Sequence, residues 1–149
     1  MTSEPPHIDL RSDTVTLPTE EMYARMQSCP LGDDGLDGDP TAQALEAMAA
    51  QRLGKQAGLY VPTATMANLL AVLAQTARQE RVLAEASSHL YLAEQGGAAL
   101  SGAFYQGVPG SEGAMDLAEL SGILESARNR LRVGLVCMET SHNNAGGTA

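Results

Sequence analysis

The sequence predicts an α/β fold in which a mostly parallel sheet is flanked by helices. From residue 57 onward, short runs of strand-forming residues alternate with helical patterns, the order expected when crossover helices join parallel strands. The run LRVGLVCME, residues 131–139, is almost continuously apolar, which is typical of strands covered on both faces. Polar or glycine-rich residues follow three predicted strands, where ligands bind in open parallel sheets.

The part of the chain before this alternation predicts a tail, an arm and two helices. Residues 1–7 are expected to form a flexible tail, and residues 8–16 an extended arm. Thr19 is placed to cap a first helix that has two glutamates in its first turn. The acidic stretch 30–40 lacks the spacing of an EF-hand, which favours a polar loop over a calcium site. Asp39, followed by proline, begins a second helix.

The remaining elements follow from residue periodicity and from capping residues. Helices are expected from near Thr65 to about Arg78 and from Asp116 to about Arg128. Strands are expected at residues 57–61, 81–85, 98–106 and 131–139. One or two helical turns after residue 89 should close at the Gly96-Gly97 pair.

Composition excludes several classes of protein. Hydrophobic residues make up 44% of the 149 residues, as in globular proteins, and the formal net charge of −9 argues against a nucleic-acid or polybasic membrane surface. There is no basic, apolar leader, and no apolar run approaches the ~20 residues of a spanning helix. Cys29 and Cys137 lie far apart and are expected to be reduced, buried thiols. These features predict a cytoplasmic protein.

The segment VPTATMANLL, residues 61–70, is a candidate phosphate site. Unpaired amides and the positive end of the dipole lie at the start of a helix, and the small side chains of Ala64 and Thr65 would let an anion approach. The same pattern also serves in many folds only to begin a helix. The patterns GxGxxG and GxxxxGK[ST] are absent, so a phosphate bound here would belong to neither NAD nor ATP.

Two histidines form the second candidate feature. His89 and His142 each follow a predicted strand, at the same sheet edge as the Thr65 turn, which favours a shared site over two isolated loop residues. Their spacing fits neither a zinc helix nor a Cys/His metal cluster, so no metal is expected. A GxSxG nucleophile elbow is also absent.

Five segments resemble, in order and spacing, the N-terminal half of the low-specificity L-threonine aldolases. They are IDLRSDTVTLPTEEM, GDDGLDGDPTAQALE, GLYVPTATMANLLA, SSHLYLAEQGGAA and METSHNNAGGT. These aldolases are pyridoxal 5'-phosphate (PLP) enzymes of the aspartate-aminotransferase fold, called fold type I, and are related to the β-eliminating amino-acid lyases. The resemblance implies that residues 8–149 form the N-terminal part of the PLP-binding large domain, without its later strands and the small domain.

The resemblance assigns cofactor contacts to three residues and a supporting position to a fourth. Ala64 and Thr65 would hold the phosphate of PLP, although the family usually has glycine at the position of Ala64. His89 would stack on the pyridine ring, and Glu94 matches an acidic residue close to that histidine. These contacts would place PLP at the carboxyl edge of the sheet.

The implied reaction is retro-aldol cleavage of threonine, allo-threonine and related β-hydroxy-α-amino acids to glycine and an aldehyde. Ser12 matches a serine that helps to hold the substrate carboxylate. His142 matches a histidine proposed to assist proton movement, and either it or His89 could be the base. A β-eliminating lyase of the same superfamily is the alternative enzyme.

PLP enzymes need a lysine that binds the cofactor covalently, and the only lysine here is Lys55. It matches a non-catalytic lysine of the family. The chain alone is therefore expected to be an inactive N-terminal fragment of an enzyme that is a homodimer or homotetramer at full length. A non-catalytic fragment or assembly module is the third hypothesis.

Overall fold

A computed structural model describes residues 8–9, 12–127 and 131–149. The predicted tail at residues 1–7 and the predicted helix end at Arg128 lie outside these residues. The chain divides into two compact units, the first ending at Tyr60 and the second spanning Val61–Ala149.

The first unit contains α1 (Glu20–Ser28) and α2 (Pro40–Leu53), both predicted from their capping residues. The hydroxyl of Thr19 accepts a hydrogen bond from an amide in the first turn of α1, and the carboxylate of Asp39 accepts two at the start of α2. Gly54 ends α2 in the left-handed conformation, with φ 62°. Local capping chemistry is enough to place both helices.

The predicted strand at residues 57–61 is wrong. This segment has no regular secondary structure, and the amide of Tyr60 donates to Oε1 of Glu46 over 2.7 Å. A strand needs a neighbouring strand to accept its ladder of hydrogen bonds, and no described segment pairs with residues 57–61.

The second unit alternates helices and strands around a small parallel sheet. Its elements are α3 (Ala64–Gln75), β1 (Arg81–Glu85), α4 (His89–Leu92), α5 (Gly96–Ser101), β2 (Phe104–Val108), β3 (Gly110–Ser111), β4 (Ala114–Met115), α6 (Leu117–Ser126) and β5 (Val133–Val136). The sheet order is β2-β1-β5, and both pairings are parallel. The predicted α/β class with a parallel sheet is confirmed.

Several boundaries in this unit differ from the prediction, among them the last strand, which spans Val133–Val136 instead of residues 131–139. Helix α3 ends at Gln75, because Thr76 is extended and its hydroxyl bonds back to the carbonyl of Val72. The glycine pair at Gly96 begins α5 instead of closing a helix, since the alanine-rich residues after it favour helix. The strand predicted at residues 98–106 is β2, which therefore starts only at Phe104. The short β3–β4 hairpin was not predicted.

The core of the second unit lies between α3 and the sheet. Val72, Val82 and Ala103 are buried together. Four partly buried side chains pack against them: Leu90, Tyr105, Leu135 and Cys137.

Both cysteines, Cys29 and Cys137, are free and half-buried, and burial raises the pKa of the Cys137 thiol. Within the described residues, no helix is both long and apolar enough to cross a bilayer.

Candidate functional site

The start of α3 presents two free backbone donors. Thr63 is the N-cap, and its hydroxyl accepts from the amide of Met66 over 3.1 Å. The amides of Ala64 and Thr65, the first two helical residues, have no acceptor within the described part of the chain, and both residues are exposed. Ala64 is not among the residues with positive φ, so alanine is compatible with this turn.

A cavity of about 280 Å³ lies beside this turn. Thr65 lines it together with Glu94, Gly97 and Tyr105. A Cβ atom at Gly97 would lie 2.9 Å from the Tyr105 hydroxyl oxygen, so a larger residue here would require the Tyr105 side chain to shift. Burial raises the pKa of Tyr105, and the structure therefore favours its neutral phenol.

His89 is the first residue of α4 and is held at two atoms. Its ring Nδ1 lies 2.7 Å from Oε1 of the buried Glu94. Its backbone amide donates to Oε2 of Glu139, the third residue after β5. The side chain is 45% exposed, and Nε2 has no hydrogen-bond partner among the described residues. The ring is thus anchored at one nitrogen and accessible at the other.

Asn68 connects the two candidate features. It lies on α3, one turn after Thr65, and its side-chain amide donates to the same Oε1 of Glu94 over 3.0 Å. The helix that begins at the candidate phosphate turn and the imidazole of His89 therefore share one carboxylate oxygen. This bond ties α3 to the carboxylate that holds His89, and a shared site at the phosphate turn and His89 stays a prediction.

His142 follows β5, the strand next to β1, so both histidines lie beyond the carboxyl ends of neighbouring parallel strands. Unlike His89, it is only 1% exposed. Its Nε2 lies 3.1 Å from Oε2 of Glu85, the last residue of β1. Gly113, with φ +85°, approaches the ring so closely that a Cβ atom would lie 2.7 Å from Cγ of His142.

Glu85 is the acceptor at the centre of this second network. Its Oε2 accepts from the hydroxyl of Ser87 over 2.6 Å, from the amide of Ser87 over 2.7 Å, and from His142. Burial alone would raise the pKa of Glu85, but the hydrogen bonds from Ser87 and His142 outweigh it and lower that pKa. The carboxylate is therefore favoured in the folded state.

This lowered pKa predicts a loss of stability in acid. Above the unfolded pKa of about 4.3, the hydrogen-bonded carboxylate stabilises the fold, and the stabilisation is lost as pH falls through the lower folded pKa. When the free energy of unfolding is measured by urea titration at several pH values across this range, it should fall less steeply with decreasing pH in Glu85→Gln than in the unmodified chain. Glu125→Gln, which changes an exposed glutamate of α6, should keep the slope of the unmodified chain. An equal slope in Glu85→Gln would contradict the prediction.

Ser12 lies in the first unit, where its hydroxyl is 2.9 Å from that of Thr14 and accepts from the Thr14 amide. Its predicted role toward the substrate stays a prediction.

Two residues of the candidate site, Asn68 and Glu139, were not singled out from the sequence. The i, i+3 spacing of Asn68 from Thr65, and the position of Glu139 after an apolar strand, were the available signals. Across the described residues, no group of three His, Cys, Asp or Glu side chains could hold a metal.

Comparison with known proteins gives a family model and close relatives over nearly the whole chain. The model of the beta-eliminating lyases matches residues 9–149. The low specificity L-threonine aldolase of Escherichia coli K12 is 39% identical over 91% of this chain and 42% of its own length. Low-specificity L-threonine aldolase 1 of Arabidopsis thaliana is 36% identical over 94% of this chain and 41% of its own. The chain thus spans about two fifths of these relatives.

One solved structure has the same fold. It is a provisionally assigned L-allo-threonine aldolase from Listeria monocytogenes, with a TM-score of 0.64 and 21% sequence identity. The match covers 90% of this chain and 38% of the other. Together with the relatives above, it confirms the resemblance and the predicted fold class.

Proposed function

Because the chain belongs to the beta-eliminating lyase family, we propose that it forms the phosphate-binding and ring-stacking part of a PLP-dependent lyase. The proposed reaction is cleavage of L-threonine, L-allo-threonine and related β-hydroxy-α-amino acids to glycine and an aldehyde. The observation that carries the proposal is the pair of free amides at the start of α3, linked through Asn68 and Glu94 to the imidazole of His89.

The residues present fit PLP. Two exposed amides at the positive end of a twelve-residue helix suit a phosphate dianion, and the hydroxyl of Thr65 can add a third donor. The half-exposed ring of His89 offers an aromatic face for a pyridine ring, since Glu94 holds only its Nδ1 edge. When bound, PLP supplies an electron sink for the bond that breaks at the substrate α-carbon.

His89 is the better candidate for the base. Its Nδ1 is engaged by Glu94, so the unpartnered Nε2 is the atom that can take the proton of the substrate β-hydroxyl. The Nε2 of His142 is bonded to Glu85, and its Nδ1, which has no partner among the described residues, lies in a ring that is only 1% exposed and so is closed to a substrate. We therefore assign His142 to holding the loop after β5. Ser12 keeps its proposed contact with the substrate carboxylate.

The phosphate contact can be tested with Ala64→Pro. Proline is favoured at the first position of a helix, and Thr63 before it is already extended (φ −142°, ψ 149°), so the fold should be retained. The change removes one amide donor. Calorimetric titration with PLP should show affinity reduced about ten- to a hundred-fold, the loss expected for one hydrogen bond to a charged group.

Leu117→Pro is the matched control, because Leu117 is the first residue of α6 and its N-cap, Asp116, is also extended. It should leave PLP affinity unchanged. Pyridoxal without phosphate should bind the unmodified chain and Ala64→Pro equally weakly. Equal PLP affinity in all three chains would exclude a phosphate at the start of α3.

The reaction itself needs a second test. The family model favours β-elimination as the alternative, which releases ammonia and a keto acid from threonine, whereas retro-aldol cleavage releases glycine and acetaldehyde. Product analysis with PLP, in a chain extended to the full length of the relatives, separates the two reactions. Borohydride treatment of the same extended chain with PLP tests the third hypothesis, because a non-catalytic module would retain no reduced cofactor. A cytoplasmic location and a homodimeric or homotetrameric assembly belong to the same proposal.

A further inference from the structure

We propose that Asn68 is a positioning residue, which orients Glu94 so that His89 keeps its proton on Nδ1 and offers Nε2 as an acceptor. This inference rests on the proposed function, in which Nε2 of His89 is the base. Asn68 is bonded to neither the phosphate turn nor the imidazole. It acts through the one carboxylate oxygen that it shares with His89.

The geometry of Glu94 carries the first step. Its side chain is 4% exposed, and its Oε1 is the acceptor for both Asn68 and His89. A buried carboxylate oxygen is stabilised by hydrogen-bond donors, and these two are the donors that the described residues supply. Removing Asn68 leaves the orientation of Glu94 to the bond with His89 alone.

The chemistry of imidazole carries the second step. A carboxylate can only accept, so a neutral His89 bonded to Glu94 must carry its proton on Nδ1. The backbone of His89 is held separately by Glu139, so a change at Asn68 should alter the ring without displacing α4. Among the described residues, the acidic groups bonded to His89 are Glu94, at the ring, and Glu139, at the amide.

The test is a comparison of Asn68→Asp with Asn68→Ala. Aspartate has nearly the shape of asparagine but donates no hydrogen bond and repels Glu94. NMR of chains with ¹⁵N-labelled histidine, at a pH where imidazole is neutral, reports which ring nitrogen carries the proton. In both variants the ratio of Nδ1–H to Nε2–H in His89 should fall roughly two- to ten-fold, the change that one net hydrogen bond produces.

Gln75→Ala is the matched control, because Gln75 also lies on α3 and its side-chain amide donates only to the local carbonyl of Ala71. It should leave the ratio unchanged. A wild-type ratio in Asn68→Asp would mean that Asn68 only fills space, and an Nε2–H tautomer in the unmodified chain would remove the bridge altogether. Loss of folding in Asn68→Ala would also overturn the proposal, because an exposed side chain that only positions Glu94 should not decide folding.

A failure of this proposal can be distinguished from a failure of the proposed function. A changed tautomer ratio in a chain that fails to bind PLP would retain the positioning role of Asn68 and reject the cofactor. PLP binding with an unchanged ratio in both variants would do the reverse.

Discussion

Gly113→Ala should lower the free energy of unfolding by about 2–5 kcal/mol, measured by urea denaturation at pH 7. Two costs add at this position. Its φ of +85° is strained for any residue with a side chain, and the new methyl group would lie 2.7 Å from Cγ of the buried His142. The ring cannot move away freely, because Nε2 is bonded to Glu85.

Two other glycines separate these costs. Gly147 has φ +83°, and a Cβ added there would meet no atom within 4 Å, so Gly147→Ala should cost only about 1 kcal/mol of backbone strain. Gly122 lies inside α6, where an added Cβ would also meet no atom within 4 Å, and Gly122→Ala should stabilise the chain by about 0.5–1 kcal/mol. If Gly113→Ala cost no more than Gly147→Ala, the close contact with His142 would be wrong.

Glu139→Ala should release the start of α4 and destabilise the chain by about 1–3 kcal/mol. The carboxylate of Glu139 accepts from two backbone amides, those of His89 and Asn143. Without this carboxylate, both amides lose their acceptor, and the loops after β1 and β5 are no longer joined by the hydrogen bond between Glu139 and His89. Hydrogen exchange followed by NMR should show faster exchange at these two amides, together with a lower urea midpoint.

Met138→Ala is the control for this change, because the neighbouring side chain is 85% exposed. It should alter neither exchange nor stability. Glu139→Gln retains one acceptor oxygen, so its loss of stability should be smaller than that of Glu139→Ala and larger than that of Met138→Ala. Unchanged exchange at the His89 amide in Glu139→Ala would show that Glu139 does not hold α4.

The sequence predicted those features that depend on residues close together in the chain. Thr19, Asp39 and Asp116 were each expected to begin a helix, and each accepts hydrogen bonds from amides two or three residues later. The α/β order and the placing of both histidines beyond strand ends also followed from local periodicity. These features need only short-range hydrogen bonds and a hydrophobic pattern, both of which are readable along the chain.

The tertiary structure alone decided which distant groups meet. Glu139 reaches the amide of His89, fifty residues away, because β5 pairs with β1 in a particular register. The same register buries His142 against Glu85 and leaves His89 accessible, a difference between two histidines that look alike in sequence. The strand expected at residues 57–61 failed because pairing requires a partner, which local propensity cannot supply.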